Sequence, residues 1–396
     1  MALALQSFTF LQQYAASFMH GKIKSSGMAL NMGVLSSANI NAAGIIHPAE
    51  THPDCVLYGI ASRDAKKAKS FAKKYGFKKS YGSYEELLAD PEINMVYISL
   101  PNSMHFEWAM KALRAGKHVL CEKPFTSNGQ EARELVEEGR KMNLVVEEAF
   151  HWQFHPAAHL FRQIIDSKQY GRVIRTDAWM TASPGVPDGD IRWQYELGGG
   201  SAMDMTYALS FTRYAIHNGN LKKVLSAVSR PYKKDSRVDA AMHSLLLFED
   251  AEGYQINSRI YTDMARDWAG GVLPRVWELP SIEVETEAAI IYFYNAMMPH
   301  VYHYISITDK RTGRTEYKTQ GSGGPLWGNV WTTGGKGGKA YWSTYRWQLE
   351  AFVDRVRGKE PPCWVSGEDS IAQMESIDEI YKAAGLPVRG EKTKEG

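Results

Sequence analysis

From Asn31 onward, short apolar runs alternate with amphipathic ones, a texture that predicts strand, helix, strand, helix. Met32–Leu35, Cys55–Ala61, Met95–Leu100, His118–Cys121 and Leu144–Glu147 read as five strands. The segments between them carry helix punctuation. Asp64 can cap Ala65–Tyr75 ahead of Gly76, Ser83 and Glu86 form a capping box, and Ser103–Ala115 stops at Gly116. Strands alternating with helices imply an α/β doubly wound parallel sheet with its ligand crevice at the strands' carboxyl ends.

Past Phe154 the pattern changes. A helix Pro156–Asp166, a strand Val173–Met180 and a helix from about Ala202 to Tyr214 precede a succession of strands. These are Val224–Ser229, Met242–Phe248, Tyr254–Tyr261, Ile282–Thr286, Ala289–Tyr294 and Tyr302–Thr308, which suggest an antiparallel sheet in a second, α+β domain. Gly321–Gly338 reads as a long loop, and Tyr345–Arg357 and Glu368–Ala384 as closing helices returning to the domain interface. The chain thus divides into an N-terminal arm 1–30, a domain 31–150 and a domain 151–396.

Composition narrows the classes. With 396 residues, 44% hydrophobic, and 46 Lys plus Arg against 44 Asp plus Glu, the formal charge is only +2, which disfavours nucleic acid as a partner. Cys55, Cys121 and Cys363 form no CxxC pair, so a reducing, cytoplasmic home is expected. Met1–Met19 is apolar but lacks an early basic residue and is broken by glutamines, so a docking or membrane-surface arm ranks above a secretory peptide. No apolar run approaches a bilayer span.

The first strand-to-helix turn reads Ser36-Ser37-Ala38-Asn39-Ile40, where a dinucleotide fold places its glycines. These residues are small enough for backbone N–H groups to approach a pyrophosphate, although an ordinary tight turn would look the same. After the second strand come Ser62 and Arg63, where an NAD enzyme carries an acid for the ribose hydroxyl. A hydroxyl and a guanidinium, with Lys67 one turn on, suit a 2′-phosphate, so NADP(H) is expected ahead of NAD(H). The third and fourth strands lead into Leu100-Pro101-Asn102 with His105, and into Glu122-Lys123-Pro124. A crevice lysine there can polarise a carbonyl or lower the pKa of a neighbouring phenol. His151, His155 and His159 are spaced like metal ligands, but Pro156 starts a helix that leaves His151 outside it, and no metal is expected.

Leu100-Pro101-Asn102 with His105, Glu122-Lys123-Pro124, Glu148-Ala149-Phe150, Asp190-Ile191-Arg192, Tyr302-His303-Tyr304, Tyr345 through Phe352 and Glu368-Asp369-Ser370 together resemble the Gfo/Idh/MocA oxidoreductases. The resemblance extends from about Gly33 to Arg389 and is nearest the fungal-type branch of NADP-dependent D-xylose or dihydrodiol dehydrogenases. It implies a Rossmann domain joined to an open-faced, mostly antiparallel sheet that often mediates homo-oligomers, and hydride transfer at a sugar-like carbon. It also implies a Gly-rich segment leading to an Asp and a proton-exchanging Tyr or His. Here these are Gly198-Gly199-Gly200, Asp204 and Tyr207, at i and i+3 of one helix. The usual pattern is D-x-G-x-Y/H, so an ungapped correspondence puts Ala208 at the proton-exchanging position; Tyr207 is the preferred reading.

A tyrosine of ordinary pKa ~10 works near neutral pH if a cation such as Lys123 stabilises its phenolate, with Asp204 orienting the lysine. His151, Trp152, Arg192 and Trp193 are candidate substrate contacts, and Gln153 stands where many relatives carry arginine. The expectation is an NADP-dependent oxidoreductase of a sugar or other small cyclic alcohol or carbonyl compound. Its rivals are a tailoring reductase, epimerase or dehydratase for a larger aromatic metabolite, motivated by Trp152, Trp179, Trp193, Trp327 and Trp331, and a non-catalytic NADP-sensing regulator.

Overall fold

Runs that are apolar on both faces need cover on both faces, and the chain supplies it by crossing over with a helix after most strands of the first sheet. The computed structural model describes residues 21–217, 219–250 and 252–390. Most of the expected arm, 1–20, lies outside the described residues. The part that is described lies along the segment that leads into the second strand of the first sheet, with the N–H of Ile23 on the carbonyl of Glu50 and that of Ser26 on Pro53.

The first sheet is built from β1 (Leu30–Leu35), β2 (Cys55–Ala61), β3 (Lys79–Tyr81), β4 (Met95–Ile98), β5 (His118–Cys121) and β6 (Val146–Glu148). Its order is β3-β2-β1-β4-β5-β6 and every pairing is parallel. The order reverses direction between β1 and β4, which opens the crevice at their carboxyl ends. β3 escaped the sequence reading because Lys79-Ser80-Tyr81 is an edge strand with no buried residue. The capping signals act as read: the Asp64 carboxylate accepts from the N–H groups of Lys66 and Lys67, and Gly76 ends that helix at φ 81°. In the expected capping box, Ser83 accepts from Glu86, but the Glu86 carboxylate returns to the N–H of Gly82 rather than of Ser83.

The second sheet has β7 (Val173–Thr181), β8 (Asn220–Tyr232), β9 (Asp235–Glu249), β10 (Gln255–Asp263), β11 (Ser281–Thr286), β12 (Ala289–Tyr294), β13 (Tyr304–Asp309) and β14 (Thr315–Lys318), ordered β14-β13-β12-β11-β7-β10-β9-β8. It is antiparallel except where β7 runs parallel to β10. β14, exposed at all four positions, was also missing from the sequence reading. Along β10 the side chains of Ile256, Ser258, Ile260 and Thr262 face in while Gln255, Asn257 and Arg259 face out, so one face is packed and the other open.

The helix Thr344–Val356 leaves the second sheet and packs Leu349, Phe352 and Val353 against Met32, Val34, Tyr97 and Leu120 of the first. The helix Gly367–Ala383 follows it and accepts the N–H of Gly129 on Asp378. This packing brings residue 345 to the crevice. Among the described residues no helix is long and apolar enough to cross a membrane.

Candidate active site

A cleft of about 590 Å³ lies at the carboxyl ends of β1, β4 and β5, closed on its far side by β7 and the loops of the second domain. Of the residues singled out in the sequence, Ala38, Asn39, Ile40, Leu100, Pro101, Asn102, Glu122, Lys123, His151, Arg192, Asp204 and Tyr207 line it. Met180, Asp190, Ile191, Leu197, Met297, Met298 and Tyr345, with Ala43, Ser99 and Gly199, complete the wall, and none of them is among the expected site residues. Nothing local in the sequence ties Tyr345 to Tyr207, which lies 138 positions earlier.

The turn after β1 keeps the backbone of a glycine turn under a serine sequence. Ser36 sits at φ 115°, a region favourable to glycine and strained for other residues. Its hydroxyl offsets the strain, lying 2.9 Å from Ser99 Oγ and accepting the N–H of Ala38 at 3.1 Å. Helical backbone begins at Asn41 and runs through Glu50, so its amino end opens beside Ala38, Asn39 and Ile40 on the cleft. Ser37 Oγ approaches Ser62 Oγ at 3.5 Å, linking this turn to the end of β2, where Arg63 and Lys67 are exposed. Small side chains, a helix amino end and basic groups at the rim form a donor set that fits a phosphorylated dinucleotide.

The chemistry-bearing groups converge from both domains. Lys123 Nζ donates to the Asp204 carbonyl at 2.7 Å and lies 3.2 Å from Asp204 Oδ1, while Arg192 Nε donates to Asp204 Oδ2 at 2.9 Å. Burial alone would raise the Asp204 carboxyl; the charges of Lys123 and Arg192 outweigh it and hold the group below its usual range. Glu122 is buried and accepts from the Tyr97 hydroxyl, with its pKa raised chiefly by burial. Tyr207 Oη lies 2.8 Å from His151 Nε2, and the Tyr345 ring packs on His151 with centroids 3.8 Å apart.

Several expectations are corrected by this geometry. Asp204 and Tyr207 do not share one helix: Ser201–Asp204 ends at Met205 and a new helix starts at Tyr207, yet both side chains reach the cleft. The expected depression of Tyr207 by Lys123 does not prevail: the ammonium is held by Asp204 and stands 5.5 Å from the ring centroid, and burial outweighs it. The phenol is pushed well up, by burial first and then by Tyr345, Glu122 and Asp204. His105 stays behind the cleft, its two ring nitrogens 2.9 Å and 2.8 Å from the carbonyls of Leu100 and Pro124, so it ties two strand ends together. Trp152 is buried with its indole N–H on Ser210, and Trp193 stacks on Tyr232. Gln153 also donates to Ser210 and does not line the cleft. The five tryptophans are dispersed and none lines the cleft. His151 lies in a 3-10 turn ahead of the Pro156 helix, and the described residues contain no group of three or more His, Cys, Asp or Glu suited to a metal.

Residues 30–150 match the GFO_IDH_MocA model, described as an oxidoreductase family with an NAD-binding Rossmann fold. Beyond that domain, the chain is 30% identical to D-xylose 1-dehydrogenase (NADP(+)) 2 of Haloferax volcanii over 89% of its length and 96% of the relative. The chain belongs to the Gfo/Idh/MocA oxidoreductase family. This oxidoreductase is also 29% identical to the trans-1,2-dihydrobenzene-1,2-diol dehydrogenase of Xenopus laevis over 67% of its own chain and 79% of that one. Among solved structures, the 3-ketoreductase KijD10 of Actinomadura kijaniata, in complex with NADP and TDP-benzene, superposes with a TM-score of 0.72 at 23% identity, covering 90% of this chain and 98% of that one. The aldose-aldose oxidoreductase of Caulobacter crescentus gives 0.73 at 19%, with the same coverage. Both share the fold of a parallel Rossmann sheet joined to a mostly antiparallel one.

Proposed function

We propose that the protein is an NADP-dependent dehydrogenase or reductase that exchanges a hydride with a carbinol carbon of a sugar or another small cyclic alcohol. The observation that carries this reading is the convergence of Lys123, Asp204 and Tyr207 at the crevice of a dinucleotide-type sheet. The NADP-dependent naming of the Haloferax relative and the Ser62-Arg63 pair at the rim support the phosphorylated cofactor. When bound, the nicotinamide supplies or accepts the hydride.

The chain's own groups handle the oxygen. Lys123, held by Asp204, presents a fixed cation to the substrate oxygen and polarises it. In the reducing direction Tyr207 gives its phenolic proton to that oxygen as the carbon gains hydride; in the oxidising direction its phenolate takes the proton back. The raised pKa makes Tyr207 a neutral donor at rest, which suits reduction. Arg192, fixed by Asp190 and Asp204, lies at the cleft edge to hold a second hydroxyl.

A second reading rests on the far wall. Met180, Ile191, Leu197, Met297 and Met298 offer apolar, adaptable surface rather than hydroxyl partners, favouring a tailoring reductase for a larger or aromatic ring system. The cytoplasm and self-association through the open sheet face, where Trp179 and Tyr292 stack beside the Arg259–Asp177 pair, belong to the same proposal. Turnover of a panel of aldoses and cyclic ketones with NADPH tests it. Tyr207→Phe and Lys123→Ala are expected to lose at least about 10²-fold in kcat while remaining folded. Full activity in Tyr207→Phe would overturn the assignment.

A further inference from the structure

Resting on Tyr207 as the proton-exchanging group, we propose that His151 is a positioning residue whose Nε2–H donates to Tyr207 Oη, freeing the phenol's own proton for the substrate and holding the phenolate left behind. His151 Nε2 and Tyr207 Oη are 2.8 Å apart, and both side chains are almost fully buried. The other ring nitrogen, Nδ1, is buried without a hydrogen-bond partner.

That orphan decides the tautomer. The groups facing the imidazole are Tyr207, Tyr345, His300 and Lys123, none of them an anion at neutral pH, and burial keeps the ring neutral. One proton must therefore sit on one nitrogen. Placed on Nδ1, it would be a buried donor with no acceptor, and Nε2 would then need the Tyr207 proton for itself. Placed on Nε2, it meets the Tyr207 oxygen, and only a lone pair at Nδ1 goes unmet. Orphaned buried donors are the rarer and costlier defect, so the second arrangement wins. The Tyr345 ring, tilted by 30° with its centroid 3.8 Å from that of the imidazole, packs against His151 and holds its plane.

The consequence concerns the charge that appears on Tyr207 after proton transfer. Lys123 is committed to Asp204, so the donor in direct contact with the phenolate is His151. Loss of one such donor costs about 10²–10³-fold in other oxyanion sites. His151→Leu in the full chain should lower kcat on that scale with little change in KM for NADPH, and should shift the ionisation seen in the kcat profile for alcohol oxidation to higher pH. His151→Gln, which can present an N–H from a similar place, should recover at least about tenfold of the loss. Nitrogen NMR of the histidine-labelled protein, with the His151→Gln protein identifying the signal, should find Nε2 protonated and Nδ1 bare.

A bare Nε2 would overturn the proposal without reference to activity. So would a His151→Leu protein with wild-type kcat and pH profile alongside an inactive Tyr207→Phe protein. Turnover surviving in Tyr207→Phe would instead remove the functional reading on which the proposal rests.

Discussion

Arg389 Nη2 donates to Asp239 Oδ1 at 3.0 Å with both side chains fully buried, and Arg389 Nε donates to the carbonyl of Gly199 at 2.9 Å. The second Asp239 oxygen accepts from Ser201 Oγ and the N–H of Ala202, both at 2.8 Å. The far end of the chain thereby clamps the Gly-rich loop and the short helix that ends at Asp204. Gly200, at φ 139°, leaves no room for a Cβ, which would stand 2.2 Å from Asp239 Oδ1.

Replacing Arg389 by Met leaves the Asp239 carboxylate buried and uncompensated, a change that costs roughly 3–5 kcal/mol. Urea unfolding should register that loss. Because Asp204 hangs from the same clamp, kcat should fall as well, even at temperatures where the variant is folded. A variant that is destabilised but turns over at the wild-type rate would cut the link between clamp and site.

Asp204 is shared by two cations of unequal standing. Lys123 is mostly buried and meets both the carboxylate and the carbonyl of residue 204, whereas Arg192 is 43% exposed and also pairs with Asp190. Asp204→Asn keeps the shape and removes the charge that holds Lys123, so a loss of about 10²-fold in kcat is expected. Arg192→Leu should cost about tenfold or less and appear in KM, because exposed ion pairs contribute little. Steady-state kinetics of both variants check the ranking, which a larger kcat defect in Arg192→Leu would reverse.

Much of this was legible in the chain. β2, β5, β12 and the Ala65–Tyr75 helix coincide with the expected bounds, because a buried strand must be apolar throughout and a helix end must be capped. Edge strands β3 and β14 were invisible, since pairing through the backbone on an exposed edge demands nothing of the side chains. The glycine-type turn was hidden for a different reason: Ser36 adopts the conformation and offsets its cost through Ser99, a partner from another strand. Tyr345 and His151 join Tyr207 through tertiary packing of the helix Thr344–Val356, so no spacing in the sequence records it. The tryptophans misled because aromatic content says nothing about which face of an element carries it.

Burial lowers the pKa of His52, His105, His118, His151, His155, His159, His300 and His303, to about 4 for His105 and His159 and about 3 for His300. The unfolded chain takes up these protons near the ordinary histidine pKa of ~6.5, while the folded chain resists until well below it. Through these histidines the unfolded state holds more protons between those limits, offset in part by Glu147 and Glu148, whose carboxyls burial raises so that the folded chain keeps their protons. Stability is therefore present above about pH 6.5 and lost progressively as pH falls toward 4. Urea titrations at pH 7.5, 6 and 5 should show a steep drop, and calorimetry in buffers of different ionisation heat should show proton uptake on unfolding at pH 5. Proton release rather than uptake on unfolding at pH 5 would contradict the burial of this set.

Cofactor choice should be decided at the rim rather than at the turn. Ser62 Oγ already accepts the N–H of Asp64 at 3.3 Å and sits 3.5 Å from Ser37 Oγ, so it is held in place, while the neighbouring Arg63 guanidinium is exposed and reaches toward Tyr84. A 2′-phosphate would gain a charge-assisted hydrogen bond from Arg63, a contact of about 1.5–3 kcal/mol, where NADH offers only a neutral 2′-hydroxyl. Arg63→Ala should thus weaken NADPH binding by roughly 10–100-fold and leave NADH binding nearly unchanged. Thermal melts across a series of each nucleotide read this directly, because a ligand that binds only the folded state stabilises it according to its concentration over Kd. Equal loss for both nucleotides would place Arg63 in the scaffold of the turn, and no loss for either would move the 2′-phosphate contact to another residue.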